Sequence, residues 1–250
     1  MTWLELDITY VCGMGCANCN RMTQLMPGRP DENIRLEQID ELIEASERLA
    51  YPWQHWWLVG GEPTTRPDLE AVVRRIGRYR DRRGPGDFQL GLATHGHGAA
   101  TRQRLRELTR EFPFLRVHNS RKTGPVHPEF VAPCVAPVDR APEALAGHRF
   151  GGCNVSWHCA LGFTFTGFYC CAVAGAIDRI RGGRGGLTRL EHVTEATMRD
   201  LYQVFCPVCG YYPGAGLIPI SGAGQTLISA TWRQMLARAS QAFPEASPPQ

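Results

Sequence analysis

Cys12-Gly13-Met14-Gly15-Cys16-Ala17-Asn18-Cys19 places three cysteines in eight residues, spaced x3 then x2, directly after a stretch that reads as a strand. Three thiolates can hold three irons of a [4Fe–4S] cube and leave the fourth iron without a protein ligand, open to chelate and reduce a small molecule. Gly13 and Gly15 let the loop curl tightly, because glycine alone reaches positive φ freely. Zinc is the competing reading. Zinc ribbons, however, use paired Cys-x2-Cys units, which this triplet does not supply.

Upstream of the loop, Trp3 to Thr9 alternates apolar and polar residues, the period of a strand. Downstream, Leu36, Ile39, Leu42, Ile43 and Leu49 recur at helical spacing over 36–49. Trp56 to Val59 is a short apolar strand ending in Gly60-Gly61-Glu62-Pro63. Asp68 can cap a helix carrying Leu69, Val72, Val73 and Ile76, which Gly84, Pro85 and Gly86 bring to an end. Phe88 to Ala93 reads as a third strand running into Thr94-His95-Gly96, and a helix near 101–111 precedes a fourth, about Phe114 to Val117.

Strands alternating with helices argue for right-handed βαβ units on a parallel sheet, hence an α/β barrel. The active face of such barrels lies at the C-terminal ends of the strands. Cys12–Cys19, Gly60–Glu62, Thr94–Gly96 and Asn119–Lys122 each follow one of the four strands. The two glycines at 60 and 61 would let backbone amide and carbonyl groups meet the amino group of a bound amino acid.

After about residue 125 the pattern changes. Pro125, Pro128, Pro133 and Pro137 mark an extended connection. From Gly151 the chain is cysteine-rich and hairpin-like, with Thr164 to Tyr169 turning at Gly167. A helix near 195–204 leads into Cys206-Pro207-Val208-Cys209-Gly210, the usual thiolate pair of a metal or cluster knuckle. Gly214 to Gly224 is apolar and glycine-rich, a final helix spans about 228–243, and the chain from Pro244 looks frayed. The expected division is a barrel core over 1–125, a connection over 126–150, a cysteine-rich domain over 151–212 and an extension over 213–250.

The 250 residues are 43% hydrophobic and 20% charged, the balance of an ordinary globular protein. A net charge of +3, with no basic arm, argues against a nucleic-acid surface. Arg78, Arg80, Arg82 and Arg83 read as a solvated helix face. Neither a secretory signal nor an apolar run long enough to cross a membrane is present, so the ten cysteines suit metal or cluster binding in a reducing cytoplasm.

In its cysteine triplet and its Gly-Gly-Glu-Pro turn the chain resembles the radical S-adenosylmethionine (SAM) superfamily. The resemblance implies that Cys12, Cys16 and Cys19 hold a [4Fe–4S] cluster that chelates SAM. It puts Gly60, Gly61, Glu62 and Pro63 at the methionine end of SAM and Thr94 near the adenosine. Asn119, Ser120, Arg121 and Lys122 would meet the ribose and carboxylate. His95 and His97 otherwise read as loop histidines in solvent. Asn18 stands where family members commonly carry an aromatic residue, so no adenine contact transfers to it.

The second cysteine set resembles the auxiliary-cluster appendage called SPASM or twitch, in its shorter single-cluster form, although Cys171 follows Gly167 one residue early. That resemblance implies a second [4Fe–4S] cluster on Cys153, Cys171, Cys206 and Cys209, with Cys159 or Cys170 able to replace one ligand. A structural zinc on the same residues is the alternative.

The implied activity is reductive cleavage of SAM and abstraction of a hydrogen atom from a small polar metabolite, of the kind met in specialised metabolism, fed by an external donor such as flavodoxin or ferredoxin. Electron transfer to the auxiliary cluster would give oxidation. A thiol returning a hydrogen atom would give epimerisation, and Cys134, Cys159 and Cys170 are the spare thiols. A ribosomal-peptide maturase is an alternative, weakened by the absence of room for a leader-binding segment before the first strand. A non-catalytic iron–sulfur or zinc interaction module is another.

Overall fold

The computed structural model describes residues 1–84, 86–126, 131–143, 145–158, 161–212 and 224–242. Readings attached to Pro85, Pro128, Cys159, the stretch 214–223 and the chain after 242 lie outside the described residues.

Alternation in β1 (Trp3–Thr9) sorts its two faces. Leu4, Leu6 and Ile8 are fully buried in the main core with Ile39 and Leu42 of α1 (Leu36–Arg48). Residues 3, 5, 7 and 9 point the other way. Strands β2 (His55–Gly60), β3 (Gln89–Thr94) and β4 (Arg116–Asn119) follow, parallel to β1 and to one another. Their crossovers are α1, α2 (Leu69–Arg83) and α3 (Ala99–Glu111). Register places Glu5 beside Trp57, Trp57 beside Gly91 and Gly91 beside Arg116.

Beyond α4 (Pro137–Arg140) and α5 (Asn154–His158), the chain returns to the free edge of β1. There β5 (Leu161–Thr164) pairs parallel with β1 and antiparallel with β6 (Gly167–Tyr169), completing a six-stranded sheet of order β4-β3-β2-β1-β5-β6. The cysteine-bearing part is thus built onto the sheet of the barrel. Behind it lie α6 (Ala172–Ile180), α7 (Glu195–Phe205) and α8 (Ala230–Ala242). Among the described residues no helix is long and apolar enough to cross a membrane.

Four local differences from the sequence reading have physical causes. β4 starts two residues later than expected, because Phe114 sits in the notch left by Gly77 of α2, 2.7 Å from where a Cβ would be. The hairpin turns at Phe165–Thr166. Gly167 already belongs to β6, with φ +124°, where a Cβ would lie 2.5 Å from the Leu187 carbonyl oxygen. Helix α6 was not legible, since it is short and buried along its whole length. It fits against β5 because Gly162 has no side chain: a Cβ there would stand 2.6 Å from the Ala172 nitrogen. Finally, the Asp68 side chain makes no capping bond and instead takes both Arg66 Nε (2.6 Å) and Nη2 (2.9 Å).

The arginines of α2 are not all solvated. Arg80 lies over the Phe114 ring at 5.0 Å, and Arg83 donates to the carbonyls of Tyr51 (2.7 Å) and Trp53 (3.2 Å).

Candidate active site: two cysteine sets on one sheet

The C-terminal ends of β1 to β4 enclose a cavity of about 250 Å³ lined by Cys12, Cys16, Cys19, Gly60, Gly61 and Thr94, among others. The cysteine loop is held by its own sulfurs. Met14 N donates to Cys12 Sγ at 3.4 Å, Cys19 Sγ contacts Thr23 Oγ1 at 3.5 Å, and Lys122 Nζ donates to Cys16 Sγ at 3.8 Å. Burial pushes the Cys12 thiol up to about 11 and Cys16 in the same direction, with Lys122 opposing the second shift. A cation bound among these sulfurs would reverse that burial penalty, because a coordinating thiol is deprotonated outright.

Gly60 and Gly61 do more than clear space for a ligand. Gly61 N donates to the Thr9 carbonyl (2.8 Å) and Glu62 N to that of Val11 (2.9 Å), so the end of β2 is joined to the end of β1. A Cβ at Gly60, where φ is +124°, would fall on the Thr9 carbonyl oxygen, and one at Gly61 on the Val11 carbonyl oxygen. Only glycine permits that approach.

Glu62 lies fully buried beneath the cavity. Its carboxylate accepts from Thr64 N (3.1 Å), Thr64 Oγ1 (2.7 Å), Thr94 Oγ1 (2.8 Å) and His95 N (2.9 Å). Pro63 is buried too and starts a single helical turn. His95 is not a solvated loop residue: its side chain is mostly enclosed, lines the cavity and brings Nε2 within 3.3 Å of Glu62 Oε2. His97 N donates to His95 Nδ1 at 2.9 Å, which leaves Nε2 to carry the proton toward Glu62. Burial lowers the His95 pKa below its ordinary value, with Glu62 opposing. His97 itself is exposed.

After β4, Ser120 lines the cavity and ties its loop to β3, with N and Oγ both donating to the Thr94 carbonyl at 3.0 Å. Asn119 and Arg121 do not line it. Asn119 Oδ1 accepts from Arg121 N at 2.8 Å in a turn where Arg121 has φ +49°, and the amide occupies the space a Cβ on Gly96 would need.

A second, smaller cavity of about 20 Å³ is ringed by Cys153, Cys170, Cys171, Cys206 and Cys209. Cys153 precedes α5. Cys171 caps α6, its sulfur accepting from Ala174 N at 3.4 Å, and Cys206 to Cys209 form one turn after α7. A hydrogen bond between the adjacent thiols lifts Cys170 and lowers Cys171, while burial pushes Cys206 up to about 12. Cys134 is fully buried and lines neither cavity, and Cys159 lies outside the described residues. Among the described residues no group of three or more His, Cys, Asp or Glu side chains is close enough to hold a single metal ion. An all-thiol set around an apolar space is a donor set for an iron–sulfur cluster, and it is one that zinc shares.

Asn18 has its own task. It adopts φ +56°, a conformation asparagine tolerates, with Nδ2 donating to Gln225 O (2.7 Å) and Oδ1 accepting from Leu227 N (3.0 Å). The segment so clasped continues to Trp232, whose Nε1 donates to the Val208 carbonyl in the Cys206–Cys209 turn at 2.7 Å. One stretch of chain therefore touches both cysteine sets. Nothing in the sequence around Asn18 pointed to a partner two hundred residues away.

The parallel α/β partial barrel, the triple-cysteine loop after its first strand and the thiol-lined unit at β5–β6 are similar to the arrangement of radical SAM enzymes with a SPASM/twitch-like extension. No family model matches it. Its sequence is similar to that of a probable GTP 3′,8-cyclase of Pyrococcus abyssi, 31% identical over 96 residues, 38% of this chain and 28% of that protein. A GTP 3′,8-cyclase of Synechococcus elongatus is 35% identical over 107 residues, 42% of this chain and 30% of that one. A PqqA peptide cyclase of Streptomyces rochei is 29% identical over 108 residues, 42% of this chain and 26% of that one. The chain thus spans less than a third of the length of these relatives. Among solved structures, BtrN in complex with AdoMet and 2-DOIA is similar with a TM-score of 0.46 and 12% identity, over 85% of this chain and 88% of that one. Likeness at that level speaks to neither substrate nor reaction.

Proposed function

We propose that this chain is a radical SAM enzyme that reductively cleaves SAM and takes a hydrogen atom from a small polar metabolite, oxidising it. The observation that carries this reading is the cavity at the strand ends, where Cys12, Cys16 and Cys19 face Gly60, Gly61 and Thr94. In it, the three thiolates hold the cluster, the Gly60–Gly61 backbone receives the amino-acid end of SAM, and Lys122 supplies a donor beside the rest. When bound, the cluster and SAM supply the hydrogen-abstracting chemistry, and the protein's share is to bind, orient and exclude water. Cys153, Cys171, Cys206 and Cys209 hold the auxiliary cluster, with Cys170 close enough to substitute.

Burial of the two spare thiols among the described residues, Cys134 and Cys170, supports oxidation over epimerisation. A thiol that returns a hydrogen atom must reach the substrate, yet Cys134 and Cys170 are 0% and 1% exposed. An external flavodoxin or ferredoxin in a reducing compartment would deliver the electron. A peptide substrate is the second reading, supported by the similarity to a PqqA peptide cyclase.

Anaerobic reconstitution tests the proposal. About eight irons per chain and reductant-dependent release of 5′-deoxyadenosine are expected, and replacing Cys12, Cys16 and Cys19 together by alanine should halve the iron and abolish the release. Aminocyclitols, sugars, GTP and short peptides can then be compared for product. Zinc in place of iron, with no cleavage of SAM, would overturn it.

A further inference from the structure

The inner face of β1 carries two carboxyls two residues apart, Glu5 and Asp7, where side chains of a strand share one side of the sheet. They are reconciled by one guanidinium. Arg21, from the loop just after Cys19, donates Nη2 to Glu5 Oε2 at 2.7 Å and Nε to Asp7 Oδ1 at 2.9 Å. Tyr10 Oη donates to Asp7 Oδ2 at 2.9 Å. The two acids end in different states. Asp7 is fully enclosed with both oxygens engaged. Glu5 is 15% exposed, has one oxygen committed, and lines the same cavity as the three-cysteine loop and Gly60–Gly61. Among the described residues Glu5 Oε1 has no protein partner.

The cavity is polarised across its width. The Glu5 carboxylate stands on the β1 side, while His95, His118 and Lys122 stand on the β3–β4 side. Between them the floor is small and apolar, formed by Val59 and Ala93. The position of Glu5 in the sheet is not crowded by its β5 neighbour, because its register partner there is Gly162. A ligand beside SAM in this space meets the Glu5 acceptor at one end and the exposed His118 imidazole at the other. Arg21 also lines the cavity, but its Nε and Nη2 are taken by Asp7 and Glu5.

Building on the function proposed above, we infer that Glu5 is a specificity-determining residue that receives a protonated amino group of the substrate, and that the substrate is therefore an amine-bearing, hydroxylated small molecule. Arg21 and Asp7 are positioning residues: they fix the Glu5 carboxylate so that its free oxygen faces the cavity. An ammonium on that oxygen makes a charge-assisted bond in a mostly enclosed place, which a hydroxyl at the same point makes only in its weaker neutral form. No bond is made or broken at Glu5, and it takes no part in the hydrogen transfer.

A matched pair of probes reads this directly. Glucosamine and glucose differ by one amino group for one hydroxyl, and their dissociation constants for the anaerobically reconstituted protein with SAM can be measured by saturation-transfer difference NMR. Wild-type protein should hold glucosamine about tenfold more tightly than glucose, the ratio that a charge-assisted bond provides over a neutral one. In Glu5→Gln that preference should collapse, while Glu5→Asp, which keeps the charge on a shorter stem, should retain part of it. Wild-type protein that holds the two probes alike, or holds neither, overturns the inference without any variant having to fold. A preference that survives in Glu5→Gln overturns it too, as does loss of SAM binding in that variant with the sugar preference intact. Whether wild-type protein cleaves SAM is a separate reading. Failure there counts against the proposed function, and the glucosamine preference still decides the role of Glu5.

Discussion

Removing the Glu62 side chain should loosen the loops at the top of the sheet, and the size of the effect follows from who donates to it. Of its four hydrogen-bond donors, the Thr64 hydroxyl has a second partner in Thr101 Oγ1 at 3.5 Å, whereas the Thr94 hydroxyl, which accepts from Gly96 N at 3.1 Å, must rotate to find another acceptor. The backbone N–H groups of Thr64 and His95 have no such alternative among the described residues. A buried donor left without an acceptor costs about 1–3 kcal/mol. Two of them, partly relieved by water entering from the adjoining cavity, put Glu62→Ala at about 3 kcal/mol. Glu62→Gln keeps one acceptor oxygen but turns an amide N–H2 toward groups that are themselves donors, so about half that loss is expected. Urea unfolding of wild type and variants, anaerobically and in one cofactor state, gives the difference, and amide exchange at His95 localises it. If Glu62→Ala unfolds within about 0.5 kcal/mol of wild type and the His95 amide stays protected, the carboxylate is not what holds these loops.

Arg179 and Glu32 form an almost fully enclosed ion pair (2.8 Å), and Arg179 also donates to the carbonyls of Met26 (2.9 Å) and Pro27 (2.8 Å). Arg179→Ala leaves Glu32 with Arg29 alone and should cost about 3 kcal/mol in urea unfolding, with Glu32→Leu added to it recovering part of the loss. His55 is buried between Trp3 and Trp57, with Nε2 unpartnered among the described residues; burial, then the nearby Arg116 charge, hold its pKa below the ordinary 6.5. Because the unfolded chain takes up that proton first, stability should fall as pH drops below 6.5, and His55→Asn should flatten the decline in urea midpoints.

Much of the barrel was legible because it is periodic. The face of β1 with Leu4, Leu6 and Ile8 and the helical spacing in α1 and α2 each repeat a burial pattern that packing then satisfies. The cysteine loop and the glycine turn were legible for a different reason: they are short, and their chemistry depends on neighbours in sequence. What failed to show was set by partners far along the chain. β5 joins β1 across more than a hundred and fifty residues, and nothing in Leu161–Thr164 states which edge it will take. α6 has no polar face to produce a helical period, since Asp178 is consumed by Tyr169 Oη (2.6 Å) and Gly185 N (2.9 Å), and Arg179 by Glu32.

The same distinction explains which site residues were overlooked. Glu62 was legible as part of a motif, but its burial beneath the cavity was not, because that depends on Thr94 and His95 arriving from the next strand. Glu5 was legible in principle: on a strand whose even residues are core, Glu5 and Asp7 must face the concave side together, and two acids there require a cation. The cation is Arg21, two residues beyond the last cysteine of the triplet, so the loop that carries those cysteines also supplies the charge that organises the cavity floor. On the far side of the same strand, Gly162 of β5 makes room for Cys171 and Ala172 at the start of α6. β1 is thus the shared wall: its end carries the first cysteine set, its inner face the carboxyl pair, and its new neighbour the second set. A chain that adds its second cysteine set at that edge brings both sets to the sheet neighbourhood of one strand.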